Sequence, residues 1–113
     1  MLDRGSRLFG SSTRTSALLA IRLLEESYPS ELAALLGVRP FTVQSILKSL
    51  EREAIIVSRL VGRTRTVALN PRHVAHAELS ALLWKLGQLD LDLQARLATR
   101  RRRPRRAGKP GLS

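Results

Sequence analysis

The chain has 113 residues, with twenty Lys and Arg against nine Asp and Glu for a formal charge of +11, and no cysteine. That length suits one small domain, and the missing thiols exclude disulfide staples, thiolate zinc sites, iron-sulfur clusters and a cysteine nucleophile. Apolar residues make up 43% of the chain, but its aromatics are only Phe9, Tyr28, Phe41 and Trp84, so Leu, Ile, Val and Ala must fill a core of small packed helices.

The first periodic segment follows Gly10-Ser11-Ser12-Thr13, where Ala17, Leu18, Ile21 and Leu24 recur at helical spacing up to Glu26. Ser and Thr are candidate N-caps there, and Pro29 ends the helix by disfavouring helical backbone at Tyr28. From Ser30, Glu31 to Leu36 reads as a short second helix, with Gly37 as its left-handed stop. Pro40 suits the first position of a third helix, Pro40 to Glu53, because its missing N–H would be unpaired there in any case. Val43, Ile46, Leu47 and Leu50 form its buried stripe, while Thr42, Gln44, Ser45, Lys48, Ser49 and Arg52 lie off it. That polar set is small and hydrogen-bonding, as a contact surface would be.

Ile55-Ile56-Val57 and Thr66-Val67-Ala68-Leu69 read as antiparallel strands separated by Leu60-Val61-Gly62-Arg63, with the turn at Gly62. Asn70-Pro71 closes this hairpin and can cap a fourth helix, about Arg72 to Leu86. Gly87 kinks or ends that helix, and Leu89, Leu91, Leu93 and Leu97 continue a weakly helical pattern. The expected fold class is mainly α with a small β-hairpin wing, in the order α-α-α-β-β-α. A flexible arm spans residues 1–13, the domain residues 14–98 and an Arg-rich disordered tail residues 99–113.

The charge is uneven. Residues 99–113 contain Arg100 to Arg103, Arg105, Arg106 and Lys109 and no acid, and so carry +7 of the +11, leaving +4 for the first 98 residues. Such a chain suits a polyanion. No stretch of about 18 apolar residues occurs, no signal-peptide pattern opens the chain, and no lipid-inserting amphipathic segment is visible. The expectation is a cytoplasmic protein that binds nucleic acid and no membrane. The tail reads equally as a nonspecific DNA arm, a solubilising end or an RNA-contacting segment.

The unit Glu31-Leu32-Ala33 to Gly37, followed at fixed distance by Thr42-Val43 and by Leu50-Glu51 before an apolar strand, resembles the winged helix-turn-helix transcriptional regulators of the ArsR/MarR-like family. The resemblance covers roughly residues 8 to 80. It implies that helix three enters the major groove of double-stranded DNA and that the hairpin wing touches the adjacent backbone or minor groove. The candidate DNA contacts are Arg39, Phe41, Thr42, Gln44, Ser45 and Lys48 on the helix, and Arg59, Arg63 and Arg65 around the wing turn, where no acid lies between Glu53 and Glu78. The chemistry fits: a Gln amide pairs bidentately with adenine, Thr and Ser bond bases or phosphate, and Lys neutralises phosphate. Arg at a hairpin tip grips phosphate or enters a narrow minor groove, or else blunts an edge strand.

Two positions depart from the family pattern. Arg39 stands where a Ser or Thr N-cap is usual, and Phe41 replaces a small polar residue; its ring touches either a thymine methyl or a neighbouring helix. Lack of cysteine sets the chain apart from thiol-based metal sensors. Related regulators are commonly dimers, and Leu79, Leu82, Leu83, Trp84 and Leu86 are the candidate dimerisation residues.

Nothing reads as an active site, and no cofactor is expected. His73 and His76 lack further ligands close in sequence, Asp90 and Asp92 diverge on a helix, and the Gly10-Ser11-Ser12 stretch lacks the Lys of a P-loop. A different resemblance stays open. Phe9-Gly10-Ser11 and Asn70-Pro71-Arg72-His73 are similar to winged-helix segments that precede small nucleotidyltransferase domains or act as antitoxin partners. That reading needs a protein partner in trans, as does a third, in which the domain is an assembly platform.

Overall fold

A computed structural model describes residues 7–102. Five helices and one hairpin follow in the order α1 (Ser12–Leu24), α2 (Pro29–Leu36), α3 (Pro40–Arg52), β1 (Ile56–Val61), β2 (Thr64–Leu69), α4 (His76–Leu89) and α5 (Leu91–Arg102). This is a winged helix-turn-helix, mainly α with a small wing, as the sequence pattern predicts.

α1 is the central element. Ser11 caps it, its hydroxyl accepting from Arg14 N at 3.0 Å, and Ala17 to Ile21 are buried without interruption. A helix buried on every side of its middle is one that other elements surround; here α2, α4 and β2 all pack on α1. It ends at Leu24, two residues short of the predicted Glu26, because Glu25 turns into the left-handed region (φ 70°). Pro29 therefore does not end α1; it opens α2 at a position where its fixed φ costs nothing. The helix starts at Ser12 rather than 14, and Phe9 packs against the core. Residues 1–6 of the predicted arm lie outside the described residues.

The turn between α2 and α3 follows the sequence signals closely. Gly37 takes φ 70° and ψ 35°, and its N–H donates to the Ala33 carbonyl, the left-handed stop that a Cβ would disfavour. Pro40 begins α3, and Arg39 before it makes no side-chain cap. Leu32 and Leu35 of α2 and Val43, Leu47 and Leu50 of α3 meet Leu18 and Ile21 of α1 in one core, closed by Ile56 and Val67 of the wing.

The wing is longer than predicted. β1 and β2 pair antiparallel from Ile56↔Leu69 to Val61↔Thr64, so the loop is only Gly62-Arg63, and Leu60 and Val61 belong to the strand. Gly62 carries the positive φ of 65° that places glycine in a two-residue hairpin loop. Ser27 adds a single antiparallel bridge on the other edge of β2, its N–H donating to Val67 O at 3.0 Å and its carbonyl accepting from Val67 N at 2.8 Å.

The fourth helix starts at His76, four residues later than predicted. Asn70 does not cap a helix: its Oδ1 accepts from Arg72 N and its Nδ2 donates to Ala54 O, a local turn that competes with helix. His73 Nδ1 accepts from Ala75 N at 3.0 Å in the same turn. Gly87 neither kinks nor ends α4. It is buried within the helix, where a Cβ would lie 2.9 Å from Leu23 Cδ1, so its role is close approach to α1. The break falls at Asp90, whose Oδ1 accepts from Leu93 N at 3.0 Å and starts α5.

α5 lies along α2. Leu93 and Leu97 enter the core, Arg96 Nη1 donates to the Leu35 carbonyl at 2.8 Å, and Arg100 stands 3.6 Å from the carboxylate of Glu31. Glu31, only 7% exposed, also accepts from the Ser27 hydroxyl at 2.7 Å, so this buried charge is paired and hydrogen-bonded as burial requires. The helix runs through Arg102, into the segment assigned to the tail; residues 103–113 lie outside the described residues.

Candidate nucleic-acid interface

α3 turns its two faces to different surroundings. Val43, Leu47 and Leu50 are buried and Ile46 is half-buried, whereas Phe41, Gln44, Ser45, Lys48 and Arg52 are exposed on the opposite face. The side chains of Arg39, Phe41, Gln44, Ser45 and Lys48 make no hydrogen bond or ion pair among the described residues. Thr42 is half-buried on the flank of that face. Ser49, on the same flank, accepts from Arg14 Nη1 at 2.8 Å, which fastens α3 to α1. The result is a rigid helix whose outward donors and acceptors are free.

The wing arginines do not form the single patch that their spacing in sequence suggests. Alternation along a strand sends neighbours to opposite faces, and the register pairs Arg59 with Thr66 on one face and Leu60 with Arg65 on the other. Arg65 Nη1 donates to Ser58 Oγ at 3.0 Å, and that hydroxyl donates to Glu51 Oε2 of α3 at 2.6 Å. This relay ties the wing to the C-terminal half of α3. Arg59 Nε pairs with Glu26 at 3.2 Å. Arg63, in the loop, is exposed with no partner among the described residues. Only Arg63 of the three is thus uncommitted; Arg59 and Arg65 brace the wing.

Glu26 accepts from Thr66 Oγ1 at 2.7 Å and from Arg59 Nε. These bonds, Thr66 first, hold its carboxyl below the ordinary value of 4.5. A depressed folded-state pKa contributes stability that is present above the unfolded value and is lost as pH falls through the folded one. The group is exposed, so the contribution is small. Glu26→Gln is expected to flatten the acid-side fall of the urea midpoint below about pH 4.5; an unchanged profile would detach this carboxyl from wing stability.

The candidate dimerisation residues divide in the same way. Leu83 is 0% exposed and belongs to the core of its own chain. Leu79 and Leu86 are half-buried against that core. Leu82 and Trp84 keep 43% and 47% of their surface. One face of Trp84 is covered by Arg22, whose guanidinium carbon lies 5.1 Å from the ring centroid while its Nε donates to the Ser80 carbonyl at 3.1 Å.

Several residues escaped the sequence reasoning. Leu60 and Val61 expose apolar surface beside Arg63 at the wing tip; their β-branched or apolar character next to a two-residue Gly-Arg loop was the available signal. Arg96 and Arg100 look like the start of a basic tail but fasten α5 to α2. Their spacing of four, in phase with Asp92, which pairs with Arg96 at 3.1 Å, marks a helix face. Among the described residues no group of three His, Cys, Asp or Glu is placed to hold a metal, and no helix is long and apolar enough to cross a membrane.

No protein-family model matches the chain, and no curated protein matches its sequence. Solved structures do. A mutant form of ZitR from Lactococcus lactis superimposes with a TM-score of 0.59 at 18% identity, over 84% of this chain and 64% of that one. Another mutant of the same protein, determined in complex with DNA, gives a TM-score of 0.56 at 20% identity, over 88% of this chain and 70% of that one. The chain therefore spans about two thirds of the length of these neighbours. At this identity the likeness is one of fold, the winged helix.

Proposed function

We propose that the chain is a sequence-specific regulator of transcription that binds double-stranded DNA, with α3 in the major groove and the wing on the adjacent backbone or minor groove. The observation that carries the reading is the outward face of α3. Gln44, Ser45 and Lys48 are exposed, make no bond within the described residues and stand on a helix locked from behind by its buried stripe and by Arg14. Free donors on a rigid helix are what base-edge reading requires. The formal charge of +11 supplies the attraction, and the fold shared with a protein solved in complex with DNA supports DNA as the ligand.

In this reading Gln44 contacts adenine, Ser45 a base or phosphate, and Arg39 and Lys48 phosphates. Arg63 supplies the contact at the wing tip. A second copy packs on the half-exposed Leu82 and Trp84 of α4, setting two recognition helices about 34 Å apart for successive major grooves. The ArsR/MarR-like family, read from the helix-turn-helix residues, is part of the same proposal.

Enrichment of one sequence from a pool of random duplexes tests the reading; uniform binding of all duplexes would reject it. Within it, Arg63→Ala is expected to weaken binding to all duplexes alike and to lower the slope of log affinity against log salt by about one. Anisotropy titrations over a salt series read this directly, and an unchanged slope removes the wing tip from the contact.

A further inference from the structure

The exposed face of α3 carries one group that neither phosphate attraction nor hydrogen bonding uses. Phe41 is 78% exposed. It is the second residue of the helix, after Pro40, and shares its face with Gln44, Ser45 and Lys48 at i+3, i+4 and i+7. At about 100° per residue the buried stripe of Val43, Ile46, Leu47 and Leu50 points the other way, so no neighbouring helix takes up the ring. Helical side chains lean toward the N-terminus, which directs this one past the exposed Arg39 and Pro40 at the leading end of the helix.

The surroundings identify what such a ring would meet. Docking patches for proteins are contiguous apolar surfaces, whereas the groups on this face are an amide, a hydroxyl and an ammonium, with a guanidinium alongside. A single apolar group among donors and cations is complementary to a major-groove edge, where acceptors and donors are interrupted by one apolar feature, the C5 methyl of a pyrimidine. We infer that Phe41 reads the 5-methyl group of a pyrimidine, carried by thymine or by 5-methylcytosine, in the half-site that α3 contacts. This rests on the placement of α3 in the major groove proposed above and adds a determinant of specificity to it.

The test uses the full chain and the duplex that it selects. Each thymine is replaced singly by uracil, and each cytosine singly by 5-methylcytosine; the two series separate the two sources of the methyl group. At one position, removing the methyl is expected to weaken binding, or adding it to strengthen binding, by about fourfold. Phe41→Ser erases that difference, while Phe41→Leu, which keeps an apolar contact, retains part of it. If the duplex is bound selectively but no methyl change matters at any position, the inference fails and the proposed function stands. If no duplex is selected, both fail. If Phe41→Ser alters the oligomeric state and leaves the methyl difference intact, the ring belongs to a contact between copies and the inference is overturned.

Discussion

Leu83→Ala is expected to lower the free energy of unfolding by about 2–5 kcal/mol, the range for truncating a fully buried leucine that leaves a partly relaxed cavity. Total stabilities of small domains are about 5–15 kcal/mol, so this change removes a large share. The mechanism is local: Leu83 is covered by its own chain, at the face where α4 packs on α1. The loss should therefore be independent of protein concentration in urea unfolding followed by circular dichroism. Trp84→Ala provides the contrast. Its ring is half exposed and held by Arg22, so a stability loss that grows with protein concentration and shrinks on dilution would place Trp84, and not Leu83, in an interface between copies. A loss below about 1 kcal/mol for Leu83→Ala would mean that α4 is not seated as described.

Gln44→Ala should act on recognition and leave folding alone. Its side chain is exposed and makes no hydrogen bond or ion pair in the described chain, so the urea midpoint should not move. On the proposed docking, losing a bidentate amide removes about 1–3 kcal/mol of discrimination at one A·T position and little at the others. Lys48→Ala supplies the opposite signature, a uniform loss on every duplex with a shallower salt dependence. Competition binding against single-base variants of the selected site reads both. Equal weakening on all variants by Gln44→Ala would make it a backbone contact and move base reading to another residue.

The parts of this fold that were legible in the sequence are those written by local backbone chemistry. Gly37 and Pro40 mark the stop of α2 and the start of α3 through a left-handed φ and a missing N–H, and neither depends on distant residues. The stripe of α3 was equally readable, and so was its free face, because one helix packed on one core exposes what the stripe does not contain. Gly62 placed the hairpin turn, although the strands run closer to it than a turn assigned to Leu60-Val61-Gly62-Arg63 allows, because Leu60 and Val61 pair with Arg65 and Thr64.

What remained hidden depends on tertiary partners. Leu83 and Trp84 are both large and adjacent in sequence, and only the packing of α4 on α1 decides that one is core and the other surface. Arg59 and Arg65 look alike beside Arg63, yet strand alternation sends them to opposite faces, and Glu26 and Ser58 occupy them. Gly87 read as a breaker because its reason for being small is Leu23, more than sixty residues earlier in the chain. Asp90 could have been recognised as the start of α5, since a short acid before Leu91-Asp92-Leu93 is an N-cap signal.

Whether the free face of α3 reads sequence is decided by selection from a random duplex pool at about physiological ionic strength. The wild type should enrich one site, two-fold symmetric with half-sites about one helical turn apart, and lose that enrichment when Gln44 and Ser45 are replaced by alanine. Binding that enriches nothing and fades with salt for both proteins would contradict sequence reading by α3, reducing the contact to phosphate attraction alone.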